Sequence, residues 1–600
     1  MNRVVIAVSL ISILTGTEVL ANETGIKGVS AEVNYERSGP TAKAALFADA
    51  PVPKLGAAHA ISLATELSRD LSGHELAALE KYGPWLTAEG ISNNAQQLIR
   101  AIQNSRIHGF NPKAYGETQI MRTMDTLTHI DTQRTISNNP LAHFDPRIVH
   151  LRDKLNRLLD VGFAKLVTHH GQGLVDARAI QKGLYRDVPV VPLDTYKQAL
   201  STGVKSVREI IRSAQPASTE YHRLTQRMRD LLTEYASGID RVSIEPTGNL
   251  WATHRHDEVF TIKRRLIETG DLPLSTVLTP FFDADLVVAL EQFQKRNGLI
   301  SSGIVDLKTR EALNFSIRDE ITAVSLSLER WRWMPRDLGD KHLFVNIPDY
   351  RVLVKEGEES TLSMVAVVGA VEHPTPTFSK DLSYMEFNPT WTVPAKIANR
   401  ELLPKERRKP GYLASRNFDY LKRVGNKLVK VPSTEVTQQD FQQNPFPYVL
   451  QQRGGPGNAL GRMKFMMPNP YAIYLHDTQA KRHFTLNDRA FSHGCIRLSE
   501  PDRLAQLLLK SDGYSAANIE QALTKKNTHR VRFRTPIPTH LTYITSWVDD
   551  TGAWQTRPDI YGHNPPLTSA LRASNSLLSL IYKNSFGDIL NTIVSAENDS

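Results

Sequence analysis

The sequence predicts a multidomain α+β protein, in which a helical scaffold and a small three-helix unit precede a mainly β domain with a capping insertion. Three observations predict it. The chain has 600 residues, about four times the ~150 of a typical domain. Apolar residues recur at helical spacing as far as about residue 316, and from about 320 the period becomes two. Inside the β region, residues 395–465 are rich in Pro, Gly, Asn and basic side chains, and so long a stretch in a compact domain carries a function or its own substructure.

The segments follow in order. Residues 1–21 join an early Arg3, an apolar run from Val4 to Leu14 and small residues at Val19 and Ala21, the pattern of a secretory signal cleaved after Ala21. The run falls short of the ~20 apolar residues of a membrane span, so an exported chain, soluble or peripheral to the inner membrane, is expected. Residues 22–58 lack sustained periodicity and read as a flexible arm. From 59 to 250 a helical scaffold is expected: AQQLIRAIQNSRIHG, RIVHLRDKLNRLLDVGFAKLVTHH and YHRLTQRMRDLLTEYASG carry apolar residues at i, i+3, i+4 and i+7. Residues 255–316 give a helix, loop, helix, turn, helix pattern, with Asp283 and Thr309 as N-caps.

From 325 to 540 the β domain is expected. HLFVNIPDYRVLVKEG and STLSMVAVVGAV alternate as strands do. SEPDRLAQLLLKSDG returns to helix, with Ser499 and Asp502 at capping-box spacing. Residues 541–600 hold a further strand and a tail.

Composition narrows the chemistry. Lys and Arg number 72 against 63 Asp and Glu, a net charge of +9; removal of residues 1–21 leaves it unchanged, because Arg3 and Glu18 go together. The excess is diffuse. Its densest patch, KERRK at 405–409, is too short for a nucleic-acid-binding run, and no nucleic-acid partner is expected. The chain has one cysteine, Cys495, which excludes an intramolecular disulfide and any site needing two or more thiolates. In an exported protein a retained thiol points to chemistry.

Cys495 lies in a segment dense with other reactive groups. His476 ends an apolar strand, and His493 stands two residues before the cysteine. An imidazole that takes the thiol proton turns a weak attacker into a strong one. The following helix N-terminus is expected to favour the thiolate by ~0.3–1 kcal/mol. Gly494 permits close backbone approach, and the N–H groups of Gly494 and Cys495 offer an oxyanion site worth ~3–4 kcal/mol per donor. Two other readings of the same residues stay open: an inert buried cysteine, and a mixed metal site of His476, Asp477, His493 and Cys495.

His476, then 15 intervening residues from Asp477 to Phe491, then SHGCIR resembles the signature of the L,D-transpeptidase family, with its YkuD-type catalytic domain. ERWRWMP (329–335), FVNIPDY (344–350), PTPTFS (374–379), FNPTWTVP (387–394), GGPGNALGRMKFMMPN (454–469) and PDIYG (558–562) resemble its large periplasmic YcbB-type members. ALEQFQKRNGL (289–299), Gly303 to Asp306, Thr309 and Ala312-Leu313 are similar to the small peptidoglycan-binding domain.

The resemblance implies a fold and a reaction. It makes Cys495 the nucleophile and His476 the proton acceptor and donor, oriented through a backbone carbonyl near Asp477. His493 and Gly494 would shape the oxyanion loop. Arg497 stands where smaller relatives have Asn, and either anchors the loop or meets a substrate carboxylate. No cofactor and no metal are implied. The substrates would be peptidoglycan tetrapeptide stems, as donor and as acceptor, joined in a 3→3 crosslink through a thioester; inhibition by carbapenems is expected, and other cell-wall synthesis enzymes are candidate partners. The insertion at 395–465 would limit water, with Trp391, Tyr412 and Tyr448 as candidate groove walls. Two alternatives stand beside this: a same-fold L,D-carboxypeptidase or peptidase hydrolysing stem peptides, and a non-catalytic peptidoglycan-binding scaffold.

Overall fold

The computed structural model describes residues 83–583, apart from 88–89, 138–145, 239–240, 246–247 and 526. The signal and arm expected at 1–58, and the end of the tail, lie outside the described residues. The first part is helical. Helix α1 (Asn93–Gln103) starts on a Ser92 side chain that accepts the Ala95 N–H, and it buries Leu98, Ile99 and Ile102 against α2 (Pro146–Gln172). Helix α3 (Thr219–Ala236) buries Tyr221, Leu224, Met228, Leu231 and Leu232, the 3–4 spacing of one apolar face.

The three-helix unit has its own core. Helices α4 (Glu258–Glu268), α5 (Ala284–Arg296) and α6 (Leu307–Leu313) enclose Ile262, Leu266, Leu290, Phe293 and Leu313. Asp283 caps α5, accepting the Leu286 N–H. The cap of α6 is Asp306 rather than Thr309, which sits inside the first turn with its hydroxyl meeting Asp306 and Gln294. Helix α7 (Ile317–Arg332) follows, buried along most of its length, and packs on α3 and on Phe344, Ile544 and the C-terminal helices.

The β domain is a closed sheet. Its strands are β1 (Lys341–Asn346), β2 (Arg351–Glu356), β3 (Glu359–Gly369) and β4 (Phe378–Phe387). After an excursion the chain returns for β9 (Met463–Met466), β10 (Leu475–His476), β11 (Ala490–Ser492), β12 (Ile496–Leu498) and β13 (His529–Thr542). The order is β11-β3-β12-β10-β9-β4-β13-β1-β2, and β2 also pairs with β3. Eight strands therefore close on themselves, with β11 appended. Inside lie Leu343, Val345, Met385, Phe387, Phe465, Leu475, Ile496 and Leu541, joined by Leu504, Leu508 and Leu509 of α8 (Pro501–Leu509).

The excursion is a separate small layer. Strands β5 (Trp391–Thr392), β6 (Phe418–Val424), β7 (Lys427–Val431) and β8 (Val449–Gln452) form a sheet in the order β5-β8-β6-β7. Short helical turns between Ala395 and Ser415 pack Leu402, Leu403 and Leu413 on Phe418, Tyr420, Phe441 and Leu450. The capping layer thus runs from β5 to β8, whereas Met463–Met466 belongs to the barrel. Its base is tight: a Cβ on Gly454 would lie 2.2 Å from the Asn388 carbonyl oxygen. Asn388, at φ +47, breaks β4 there, a backbone state Asn tolerates.

Three further local expectations fail. The period does not turn to two near 320: Ile317–Arg332 is helix α7, and the first barrel strand starts at Lys341. Ser499 and Asp502 form no capping box; the N-cap of α8 is Glu500, with no side-chain bond to the helix. The last strand starts at His529, well before 541, because its alternation is interrupted by Pro536 and Pro538.

Candidate active site

Strand register brings the reactive groups together. Strands β10 and β12 run parallel, with Leu475 opposite Ile496 and His476 opposite Arg497. Leu475 and Ile496 are fully buried inside the barrel. Side chains alternate along a strand, so Tyr474 and His476, and Cys495 and Arg497, stand on the outer face. The same register extends sideways. Lys464 is opposite His476, Glu386 opposite Lys464, and Arg530 opposite Glu386. One rung thus carries Arg530, Glu386, Lys464, His476 and Arg497 across five strands. Arg530 binds Glu386 at 2.8 Å, and Lys464 lies 3.9 Å from the same carboxylate and 4.4 Å from the Tyr474 ring centre.

His476 is held in one tautomer. Its Nδ1 lies 2.5 Å from the Asp477 carbonyl oxygen. A carbonyl only accepts, so Nδ1 carries the proton and Nε2 is the base. Burial, with the Arg497 charge, pushes the imidazole down to about 3, so it is neutral near pH 7. The Asp477 carboxylate fixes the turn instead of the ring, accepting the Arg462 and Thr478 N–H groups at 2.8 and 2.7 Å and Lys481 Nζ at 2.6 Å. That packing needs Gly461, where a Cβ would lie 2.2 Å from Asp477 Oδ2.

Cys495 sits on the turn before β12. Burial pushes its thiol up to about 11, against opposing help from Tyr474, Lys464 and Arg497. Its Sγ donates to the Ala472 carbonyl at 3.5 Å, and Tyr474 reaches the sulfur through both backbone and side chain. The indole of Trp391, in the capping layer, reaches the Tyr474 side chain in turn. Tyr412 and Tyr448 pack instead in the capping layer's own core.

The loop geometry corrects two expectations. The Gly494 N–H donates to Ser492 Oγ at 3.0 Å, while that hydroxyl donates to the Cys495 carbonyl at 2.6 Å. This closed turn engages Gly494 and leaves the Cys495 N–H as the loop's candidate oxyanion donor. Gly494 is needed for its φ of +108, where a side chain is strained, and its carbonyl accepts Thr375 Oγ1 at 2.8 Å. The helix dipole contributes little, because β12 separates Cys495 from α8 and three strand residues span about 10 Å.

His493 and Arg497 also find partners. His493 Nε2 meets Glu401 Oε1 at 2.6 Å and its ring stacks on His373 at 4.8 Å. His493 is thus a tie between the nucleophile loop and the capping layer, to which Glu401 belongs. The Arg497 guanidinium makes its hydrogen bond to His483 Nδ1, at 3.4 Å. The four groups of the metal reading diverge, and among the described residues no group of three or more His, Cys, Asp or Glu is placed to hold an ion.

Sequence reasoning passed over Lys464, Tyr474, Thr375, Ser492 and Glu401. For the first two a signal existed: in MKFM and YLH the polar residue alternates with barrel-core residues.

A closed β domain with a cysteine and an oriented histidine on its outer face, under a capping layer, is the class that fold and site define. Comparison with known proteins gives it a family. Residues 340–519 match the L,D-transpeptidase catalytic domain (YkuD), residues 80–228 a scaffold domain, and residues 255–313 a domain described as "Putative peptidoglycan binding domain". A "Putative L,D-transpeptidase" of Haemophilus influenzae is 34% identical over 249 residues, 41% of this chain and 49% of that protein; the match thus spans about half the length of the curated relative. The crystal structure of an L,D-transpeptidase from Xylanimonas cellulosilytica covers 50% of this chain and 98% of its own at 14% identity, with a TM-score of 0.16, too low to bear on the site. The β domain is thus a YkuD-type L,D-transpeptidase catalytic domain. Among the described residues no helix is long and apolar enough to cross a membrane.

Proposed function

We propose that this protein is a periplasmic L,D-transpeptidase of the large YcbB type, forming 3→3 peptidoglycan crosslinks through a thioester on Cys495. The observation that carries the reading is the shared outer face of β10 and β12, which sets a neutral His476, with Nε2 free to accept a proton, beside the strand that presents Cys495.

The reaction follows from those groups. His476 Nε2 takes the thiol proton as Sγ attacks the carbonyl on the L-centre of diaminopimelate in a donor tetrapeptide. The tetrahedral oxyanion takes the Cys495 N–H. On collapse the amide C–N bond breaks, and the departing D-Ala amine takes the proton from His476. The side-chain amine of diaminopimelate on a second stem then attacks the thioester, gives a proton to His476, and expels the sulfur, which recovers it. The raised thiol and lowered imidazole mean that the resting pair is neutral, so proton transfer accompanies attack. The absence, among the described residues, of a hydrogen bond from Arg497, on the same face, to a loop carbonyl supports its reading as the partner of a substrate carboxylate over loop anchoring. The capping layer, tied to the loop through Glu401 and His493, limits water so that an amine resolves the thioester.

The test is incubation of the full chain with purified tetrapeptide muropeptides and mass analysis of products. Dimers with 3→3 linkage are expected. Tripeptide monomers alone would identify a hydrolase, and no product would reduce the chain to a binding scaffold. Carbapenem inactivation, lost in Cys495→Ala, is expected alongside.

A further inference from the structure

We propose that the scaffold segment Gln181–Tyr185 is a positioning element of the nucleophile loop, and Tyr185 its positioning residue; this rests on the reading of Cys495 as the nucleophile. The segment leaves the helical scaffold and joins the β domain by direct backbone pairing. The Tyr185 N–H donates to the Thr377 carbonyl at 2.9 Å, and the Thr377 N–H returns to the Gly183 carbonyl at 2.9 Å. Gln181 Nε2 adds a bond to Thr377 Oγ1 at 3.2 Å.

From this joint two arms reach the cysteine. In the first, the anchored strand start holds Thr375, whose hydroxyl donates to the Gly494 carbonyl at 2.8 Å and accepts the Gly369 N–H at 2.8 Å. Gly494 is the residue before the nucleophile. In the second, the Tyr185 ring stacks on Tyr471 at 4.2 Å and 14°. Tyr471 precedes Ala472, which stands at φ +56 and whose carbonyl accepts the Cys495 thiol. A left-handed alanine is a strained state that the surroundings must hold, and Tyr471 is pinned between Tyr185 and Phe378, whose ring centre is 5.4 Å away. The scaffold therefore grips both sides of the sulfur, through the carbonyl that accepts its hydrogen bond and through the turn that carries it.

Tyr185 is half exposed, 50%, so its ring acts by contact with Tyr471 and not as core. Loss of the ring frees Tyr471 and Ala472 without opening a cavity. Misplacement of a reacting atom by about 1 Å can cost as much as ~100-fold in rate. Tyr185→Ala in the full chain is expected to lower kcat for muropeptide turnover about tenfold with KM changed less than about twofold. Tyr185→Phe, which keeps the stack, is expected to restore kcat to within about twofold.

Thermal melts run on each variant should agree with wild type, which separates positioning from folding. A rise in KM with kcat unchanged would overturn the proposal, since the ring would then be touching substrate. Unchanged kcat in Tyr185→Ala, or failure of Tyr185→Phe to rescue, would overturn it too. Cys495→Ala is the control: turnover surviving in that variant would sink the nucleophile assignment itself, whereas its loss beside a fully active Tyr185→Ala would sink only the role of the scaffold segment.

Discussion

At Cys495 and His476 the surroundings favour the uncharged form of both groups. Burial raises the thiol to about 11 and lowers the imidazole to about 3, so the thiolate and imidazolium are not preformed near pH 7. Alkylation of Cys495 by iodoacetamide should therefore rise with pH by nearly tenfold per unit through the range from about 7 to 9; a plateau near neutrality would show a preformed thiolate. As candidates the two residues were legible in the sequence, since one cysteine in 600 residues two places after a histidine draws the eye. The second histidine's task was not. His493 is near Cys495 in the chain, yet it faces Glu401, because residues i and i+2 around a positive-φ glycine need not share a face. Lys464 is far away in sequence and comes to His476 only through β9 pairing with β10.

Elements reveal a different balance. Alternation in HLFVNIPDYRVLVKEG announced the β domain, but the switch expected near residue 320 came too early, since Ile317–Arg332 is helix α7 and the first strand starts at Lys341; apolar spacing located α1, α2 and α3, because such signals are local. Strand order is not local: nothing in the alternation of Glu359–Gly369 says that it contacts β2, β11 and β12. The capping layer was legible as an insertion from its composition, while its four-stranded sheet was hidden by short, exposed strands such as Lys427–Val431. The tie from Glu401 to His493 belongs to this scale. Both side chains are more than a third exposed, and such pairs contribute little, about 0.2–1 kcal/mol. Glu401→Gln is accordingly expected to raise KM for the donor stem by no more than about fivefold, with kcat nearly unchanged; a kcat loss beyond tenfold would place Glu401 in the chemistry.

Across the whole molecule, the helical scaffold is built into the β domain. Helix α7 shares a core with α3 and the barrel's Phe344 and Ile544, and buried Arg332 joins Glu329 at 2.8 Å and lies over the Phe110 ring at 4.3 Å. Around it stand His170, fully buried, and His108 and His169, partly buried. Burial and the Arg332 charge lower His108 to about 3 and His169 to about 4, and burial and His108 hold His170 well below its ordinary value. Each binds a proton more readily unfolded than folded. The unfolded state therefore gains protons first as pH falls below about 6.5, and stability declines from there towards pH 4. Differential scanning calorimetry should show a melting temperature that drops steadily over this interval; a flat profile would mean that the cluster is not buried in solution.

The central claim is that Cys495 carries the donor stem as a thioester. Intact-mass spectrometry of the full chain mixed briefly with a tetrapeptide muropeptide tests it most directly. A covalent adduct equal to the donor less D-Ala, mapped to Cys495 and absent from Cys495→Ala, is the predicted result; active turnover with no adduct on Cys495, or an adduct that persists in Cys495→Ala, would contradict it.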